Sequence, residues 1–80
     1  MEDTLRKIVA KIAETTPDFP KDVSLRDGLD VDSVRAVEIV FEVEHKFGIK
    51  LPEGRYAEVR SFSDLLALVT SLKAPTANAG

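Results

Sequence analysis

The sequence predicts an all-α protein: a small bundle of three main helices plus one short helix, with a long loop between helices 1 and 2. Three segments place apolar residues at the spacing of an amphipathic helix. No segment shows convincing strand alternation, and Pro and Gly separate the helical segments. The chain of 80 residues suffices for one domain. We assign that domain to residues 1–74 and predict a disordered tail over residues 75–80.

The first helix is predicted from an apolar stripe near the N-terminus. Its members fall at i, i+3, i+4, i+7 and i+8, and they are Leu5, Ile8, Val9, Ile12 and Ala13. Asp3 is expected to cap the helix, and Arg6 lies outside the stripe, in water. Pro17 predicts an end near Thr15 or Thr16, because proline disfavours helical geometry in the residue before it.

The connection that follows, residues 16–32, is unusually long for a compact domain and contains two prolines and one glycine. Such a loop needs apolar anchors against the helices, and four residues supply them: Phe19, Val23, Leu25 and Leu29. The segment from Ser24 to Asp27 is expected to form a short helical turn. The loop then delivers Ser33 to a fixed place.

The second main helix is predicted from Ser33 to Phe47. Asp32 should be its N-cap, because a short carboxylate can accept a backbone N–H of the first turn, and Gly48 should cap its C-terminus. More than half of the circumference is apolar, which favours packing against more than one neighbour. The apolar arc comprises Val34, Val37, Ile39, Val40, Phe41, Val43 and Phe47.

Two further helices complete the predicted bundle. The segment from Glu53 to Val59 predicts about one and a half helical turns, weakened by Gly54. Ser61 and Asp64 have the spacing of a capping box at the start of the last helix. The apolar stripe of that helix contains Phe62, Leu65, Leu66, Val69 and Leu72.

Composition argues against several kinds of function. A formal net charge of −3 disfavours a nucleic-acid partner. No apolar run approaches the roughly 20 residues of a membrane span, and nothing resembles a signal peptide, so a cytoplasmic location is expected. With no cysteine, neither a disulfide nor a thiolate metal site can form. Glu42 and His45 match half of a di-iron motif whose second half is missing, so we expect no metal.

Ser33 is the residue to which chemistry can be assigned. A catalytic role would need a base, but His45, the one histidine, lies twelve residues along the same helix, or roughly 18 Å away at 1.5 Å per residue. The mouth of a helix favours an anion attached to the hydroxyl. Two interpretations stay open at this point: modification of Ser33 by another enzyme, or a simple helix cap formed with Asp32.

Several segments, in order, resemble those of the acyl carrier protein family, over about residues 4–73. Asp32-Ser33-Val34 is similar to the family's Asp-Ser-Leu attachment motif. Three segments are similar to the family's second helix: Val37-Glu38-Ile39-Val40, Glu42-Val43-Glu44 and Phe47-Gly48-Ile49. Leu51-Pro52 resembles the Ile-Pro that follows that helix, and Ser61-Phe62-Ser63-Asp64-Leu65 resembles the start of the last helix.

The resemblance implies a phosphopantetheine arm on Ser33, joined through a phosphodiester and carrying acyl groups as thioesters. The implied partners are a phosphopantetheinyl transferase and the acyl-loading and acyl-transfer enzymes of fatty-acid, lipid or polyketide-type synthesis. The chain itself would be a monomer without catalytic residues. A peptidyl or aminoacyl carrier, and an unmodified helical interaction module, remain alternatives.

The resemblance also implies a partner surface along the second helix. By matching position it consists of Asp32, Val34, Arg35, Glu38, Phe41 and Glu42. The other interpretation is a solvated face for Glu38 and Glu42, and plain core for Phe41. The chain departs from the family at Asp30, where Gly is usual, and at Arg35, where an acid is frequent. We therefore predict a specialised carrier whose partners are selected in part by Arg35.

Overall fold

The part of the chain that the structure describes contains four helices joined by loops. The computed structural model describes residues 1–73. Its helices are α1 (Glu2–Ala13), α2 (Ser33–Phe47), α3 (Glu53–Tyr56) and α4 (Phe62–Lys73). Three long helices and one short helix confirm the predicted all-α bundle. The predicted tail over residues 75–80, and the end of the predicted domain at residue 74, lie outside the described residues.

The core lies between the three long helices and the segments that connect them. α1 packs against α2, and α3 packs against α4. The buried apolar side chains are Leu5, Val9, Ala10, Ala13, Phe19, Leu25, Val31, Ile39, Val43, Leu51, Phe62, Leu65, Leu68 and Val69. Full burial of a large side chain contributes roughly 1.5–3 kcal/mol, so packing rather than intrinsic propensity holds these helices. No helix among residues 1–73 has the length and hydropathy needed to cross a membrane.

The ends of α1 differ from the prediction. Met1, not Asp3, occupies the N-cap, and no side chain caps the helix, so the expected role of Asp3 is wrong. Asp3 lies instead in the acidic first turn, where a carboxylate interacts favourably with the helix dipole. The helix also ends earlier, because Glu14 adopts a left-handed conformation with φ of 59°. Its backbone N–H still bonds to the carbonyl of Ala10, which closes the last turn.

The short α3 begins where it was predicted but ends earlier, and the start of α4 agrees with the prediction. α3 covers four residues, fewer than expected, and the chain continues in tight turns in which the Val59 N–H donates to the Tyr56 carbonyl at 2.9 Å. The capping box of α4 is confirmed. The Asp64 N–H donates to Ser61 Oγ at 3.1 Å, and the Ser61 N–H donates to Asp64 Oδ2 at 3.2 Å.

The long loop is anchored as predicted. Two of its apolar residues are buried and two are half-buried against the core, and together they are Phe19, Val23, Leu25 and Leu29. The ring of Phe19 meets that of Phe62 edge to face, with centroids 5.0 Å apart. Arg6 is not in water as expected. Its guanidinium lies 4.9 Å from the Phe19 ring centroid and 5.1 Å from that of Phe62, and it donates to the carbonyls of Pro17 and Phe19.

Backbone hydrogen bonds also join the loop to the start of α4. The Leu25 N–H donates to the Arg60 carbonyl at 2.9 Å, and the Phe62 N–H donates to the Val23 carbonyl at 3.1 Å. An isolated antiparallel bridge pairs Ser24 with Ser61 between them. The expected helical turn after Ser24 is a single turn, closed by the Gly28 N–H and the Ser24 carbonyl at 2.8 Å, and it is too short to count as a helix. Buried side chains and backbone hydrogen bonds therefore hold the loop before Ser33 against the core and against the start of α4.

Candidate functional site

Ser33 is the first residue of α2 and is exposed. Asp32 precedes it as the N-cap, with extended backbone, and its Oδ1 accepts the Arg35 N–H at 2.9 Å. Both placements agree with the sequence prediction. Among the hydrogen bonds of residues 1–73, none involves the Ser33 hydroxyl. The hydroxyl is therefore accessible to an enzyme and lies where free backbone N–H groups favour an attached anion.

The backbone just before Ser33 is held by Val31. Its side chain is buried and its N–H donates to the Leu25 carbonyl at 2.9 Å. Asp30, immediately before it, has a φ of 59°, which turns the chain so that Val31 points inward and Ser33 outward. Sequence reasoning did not single out Val31 as an anchor. Its signal was a lone apolar residue between two aspartates, directly before a helix cap.

A cleft of about 360 Å³ opens beside Ser33. It runs between the start of α2, α3 and the bridged segments of the loop. Its apolar lining includes Val31, Ala36 and Val59, and its polar lining includes side chains of both charges. Tyr56 also lines the cleft, and burial raises the pKa of its phenol above the ordinary value of 10.0. A volume of this size lies at the lower end of the range for ligand sites, about 300–1,000 Å³.

The apolar arc of α2 divides into an inward and an outward face. Ile39 and Val43 are fully buried. Val34, Val37 and Phe41 are 69, 68 and 72 % exposed, so these three residues of the predicted arc do not pack into the core. These three residues follow one another at i, i+3 and i+7 along one side of the helix. The helices that contact α2 cover only the other side.

We call Val34, Val37 and Phe41 the outer stripe of α2. Carboxylates accompany it, since Glu38 and Glu42 are exposed and line, with Phe41, a groove between α1 and α2 of about 330 Å³. An exposed apolar stripe beside acidic groups is typical of a surface that binds another protein. Sequence reasoning included Val34 and Phe41 in such a surface but missed Val37, whose position on the same side of the helix was the available signal.

Arg35 makes a contact that the sequence did not indicate. It is half-buried, and one guanidinium nitrogen lies 3.4 Å from the Glu14 carboxylate at the end of α1. The Glu14 side chain is 76 % exposed, so this ion pair contributes little to stability. The pair places one guanidinium nitrogen of Arg35 near the end of α1.

Glu44 is a polar residue within the apolar arc of α2, and its side chain has a structural partner. Its Oε2 accepts the Leu51 N–H at 2.7 Å, which ties the link after α2 back to the helix.

His45 is exposed in the last turn of α2, whereas Ser33 occupies the first turn. Within residues 1–73, no three His, Cys, Asp or Glu side chains come together as metal ligands would.

Comparison with known proteins identifies what this arrangement is similar to. A family model described as a phosphopantetheine attachment site matches residues 3–69. An acyl carrier protein of Rhodococcus erythropolis is 36% identical over 76 residues, which cover 94% of this chain and 84% of the relative. A meromycolate extension acyl carrier protein of Mycolicibacterium smegmatis is 33% identical over 81 residues, which cover 91% of this chain and 82% of the relative. An acyl carrier protein of Acidothermus cellulolyticus is 31% identical over 68 residues, which cover 84% of this chain and 81% of the relative.

Proposed function

Since this chain belongs to the acyl carrier protein family, whose members carry acyl groups on phosphopantetheine, we propose that Ser33 is the residue that bears the arm. The observation that supports this most directly is an exposed hydroxyl at the first position of α2, beside a cleft and free of hydrogen bonds to residues 1–73. The bound arm would supply a terminal thiol, on which an acyl group is held as a thioester. The chain has no cysteine that competes with that thiol.

The chain's own residues position the arm and present it to other enzymes. Asp32 fixes the first turn of α2 through its bond to the Arg35 N–H, and buried Val31 fixes the strained approach to it. The one histidine is in the last turn of the same helix, so no imidazole lies beside Ser33 as a general base, and the neighbouring Asp32 carboxylate accepts the Arg35 N–H as the cap of α2. We therefore assign transfer chemistry to partner enzymes of fatty-acid or related lipid synthesis, and assign to this monomer the role of carrier.

Attachment at Ser33 is tested with a phosphopantetheinyl transferase and coenzyme A. We expect one mass gain and one new titratable thiol in the wild-type chain, and neither in Ser33→Ala. The matched control is Ser71→Ala, an exposed serine within α4, which should be modified as the wild type is. An unmodified wild type would reject the assignment and favour an unmodified interaction module, whereas modification of Ser33→Ala would reject it by placing the arm on another residue.

The partner surface is proposed to consist of the six predicted residues and Val37. Its apolar centre is the outer stripe and its charged rim is Asp32, Arg35, Glu38 and Glu42. Phe41→Ala removes the largest side chain of the stripe and should lower the kcat/KM of loading by a partner enzyme about tenfold, equivalent to 1.4 kcal/mol. Because Phe41 is 72 % exposed, the midpoint of urea unfolding should change little. A large loss of stability with unchanged loading would show that Phe41 is a core residue.

Selection of partners by Arg35 is a separate proposal. Arg35→Asp reverses a charge at the start of α2 and should shift loading toward enzymes that serve generic carriers, because an acid is frequent at this position in the family. The variant also breaks the ion pair with Glu14, so Glu14→Gln is the matched control that breaks the pair and leaves Arg35 in place. Unchanged preference in Arg35→Asp, or an equal shift in Glu14→Gln, would contradict selection by the Arg35 charge.

A further inference from the structure

Two arginines far apart in the sequence lie on the same wall of the cleft beside Ser33. Arg26 and Arg60 both line this cleft, as does Ser33. They are brought together by the backbone pairing of the loop with the start of α4, in which the Leu25 N–H donates to the Arg60 carbonyl at 2.9 Å. The backbone positions of both arginines are thus set by the fold, while their side chains are exposed.

Within residues 1–73, neither of these two arginines is held in an ion pair, although the charge of Arg60 contributes to holding the pKa of the Asp64 carboxyl below its ordinary value. Arg6 and Arg35 form ion pairs with Glu2 and Glu14, at 2.9 and 3.4 Å, whereas neither Arg26 nor Arg60 forms one. Two carboxylates also line the cleft, those of Asp27 and Asp32. That of Asp32 already accepts the Arg35 N–H as the cap of α2. Two exposed arginines without an ion pair therefore line the small cleft that Ser33 also lines, and each guanidinium carries N–H donors.

We infer that Arg26 and Arg60 bind an anionic group of the arm attached to Ser33. This inference depends on the attachment proposed above. A guanidinium offers a planar set of N–H donors that matches a phosphate or carboxylate in two parallel hydrogen bonds. Such an anion could be the phosphodiester next to the serine oxygen, or a free carboxylate at the end of a dicarboxylic acyl group. The apolar lining from Val31, Ala36 and Val59 suits the carbon chain between them.

Binding at this wall would hold the arm against the cleft between encounters with enzymes. The carrier would then present two states of the arm, one held by the arginines and one free in solvent. A partner enzyme that places its own cations near Ser33 would compete for the same anion and release the arm. The two arginines are therefore positioning residues, with no part in the chemistry of transfer.

The test follows the arginine side chains by NMR while the arm is built. The Nε–Hε resonances of ¹⁵N-labelled protein are compared in four forms whose masses are verified: unmodified, phosphopantetheinylated, and loaded with a monocarboxylic or a half-acid dicarboxylic acyl group of equal length. Arg55, exposed on α3 and outside this cleft, is the internal control. We expect the resonances of Arg26 and Arg60 to move, and to return toward the unmodified positions at about 1 M salt, where the Debye length is about 3 Å.

The form in which the shifts first occur identifies the anion. A shift on attachment of the arm assigns the phosphodiester, and a shift only in the half-acid form assigns the cargo carboxylate. In the double variant Arg26→Gln/Arg60→Gln, the ³¹P resonance of the modified protein should move if the phosphodiester is bound, and Arg55→Gln should leave it unchanged.

Two results would overturn the inference. If the mass confirms the arm but Arg26 and Arg60 keep their unmodified resonances in every form, the arginines do not bind it, while the attachment at Ser33 stands. If no mass gain occurs at all, the attachment proposal and the inference fail together.

Discussion

Asp30 has a left-handed backbone conformation, with φ of 59°, three residues before Ser33. A side chain with a Cβ rarely adopts this conformation, and Asp and Asn tolerate it better than others because their short polar groups can bond locally. Gly is usual at this position in the family, and the left-handed backbone gives the physical reason, because Gly has no Cβ to strain at positive φ. Asp32 and Ser33 were placed correctly from the sequence because a helix cap is a local feature. The left-handed conformation of Asp30 was not predicted, and the Gly that is usual at this position was the available signal for it.

Asp30→Gly should stabilise the fold and Asp30→Val should destabilise it. Gly has no Cβ to strain at positive φ, whereas a β-branched residue there costs about 1–2 kcal/mol. The gain for Gly should be smaller, since its unfolded chain is more flexible. Urea unfolding followed by circular dichroism measures both. The control is Asp27→Gly, whose backbone does not have positive φ, and which should not stabilise. A loss of stability in Asp30→Gly would show that the aspartate side chain, not the backbone, matters there.

At the scale of single elements, α2 shows what a helical pattern can and cannot predict. Periodicity located the helix, and capping residues set both ends at Ser33 and Phe47. The apolar arc is wider than half the circumference, so the pattern alone could not determine which part faces inward. Ile39 and Val43 are buried in the core, and the outer stripe is left exposed. An over-wide apolar arc is thus better interpreted as one core face plus one exposed apolar face.

The capping box of α4 makes stability depend on pH. Backbone N–H groups of Arg60 and Ser61 hold the pKa of the Asp64 carboxyl below its ordinary value of 3.8. The pKa is lower in the folded than in the unfolded chain, so this stabilisation is fully present above about pH 4 and is lost as the pH falls through the folded pKa. Asp64→Asn should therefore flatten the acid side of the stability curve.

The measurement is urea unfolding of the wild type and Asp64→Asn between neutral and acid pH. Their difference in unfolding free energy should be larger at neutral pH and shrink in acid. The control is Asp22→Asn, an exposed loop aspartate whose side chain accepts no hydrogen bond within residues 1–73. A wild-type advantage that is the same at every pH would contradict the role of the charged cap.

At the scale of the whole molecule, Arg6 joins α1, the loop and α4. Its guanidinium lies over the rings of Phe19 and Phe62 and donates to two loop carbonyls. The sequence suggested a solvent-facing arginine, because its position lies outside the apolar stripe of α1. Helical periodicity does not reveal where a loop returns, so this contact could not be anticipated. The anchors Phe19 and Leu25 were predictable, since an apolar residue in a long polar loop needs burial.

Arg6→Lys should destabilise the fold by about 1–2 kcal/mol, because an ammonium cannot stack on two rings and serve two carbonyls together. The matched control is Arg55→Lys, an exposed arginine of α3, which should have almost no effect. Both are measured by urea unfolding at neutral pH. Equal stability of the two variants would show that the loop is held by its apolar anchors alone.

The pairing of the loop with the start of α4 sets the order in which the serine site can form during synthesis. Residues 21–25 take their backbone partners from residues 60–63, which leave the ribosome long after Ser33 itself. A nascent chain that has exposed α1 and α2 still lacks the contacts that fix the approach to its serine. The site is therefore complete only after residues 60–63 have been synthesised, and a fragment ending before residue 60 would present an unfinished site to any modifying enzyme.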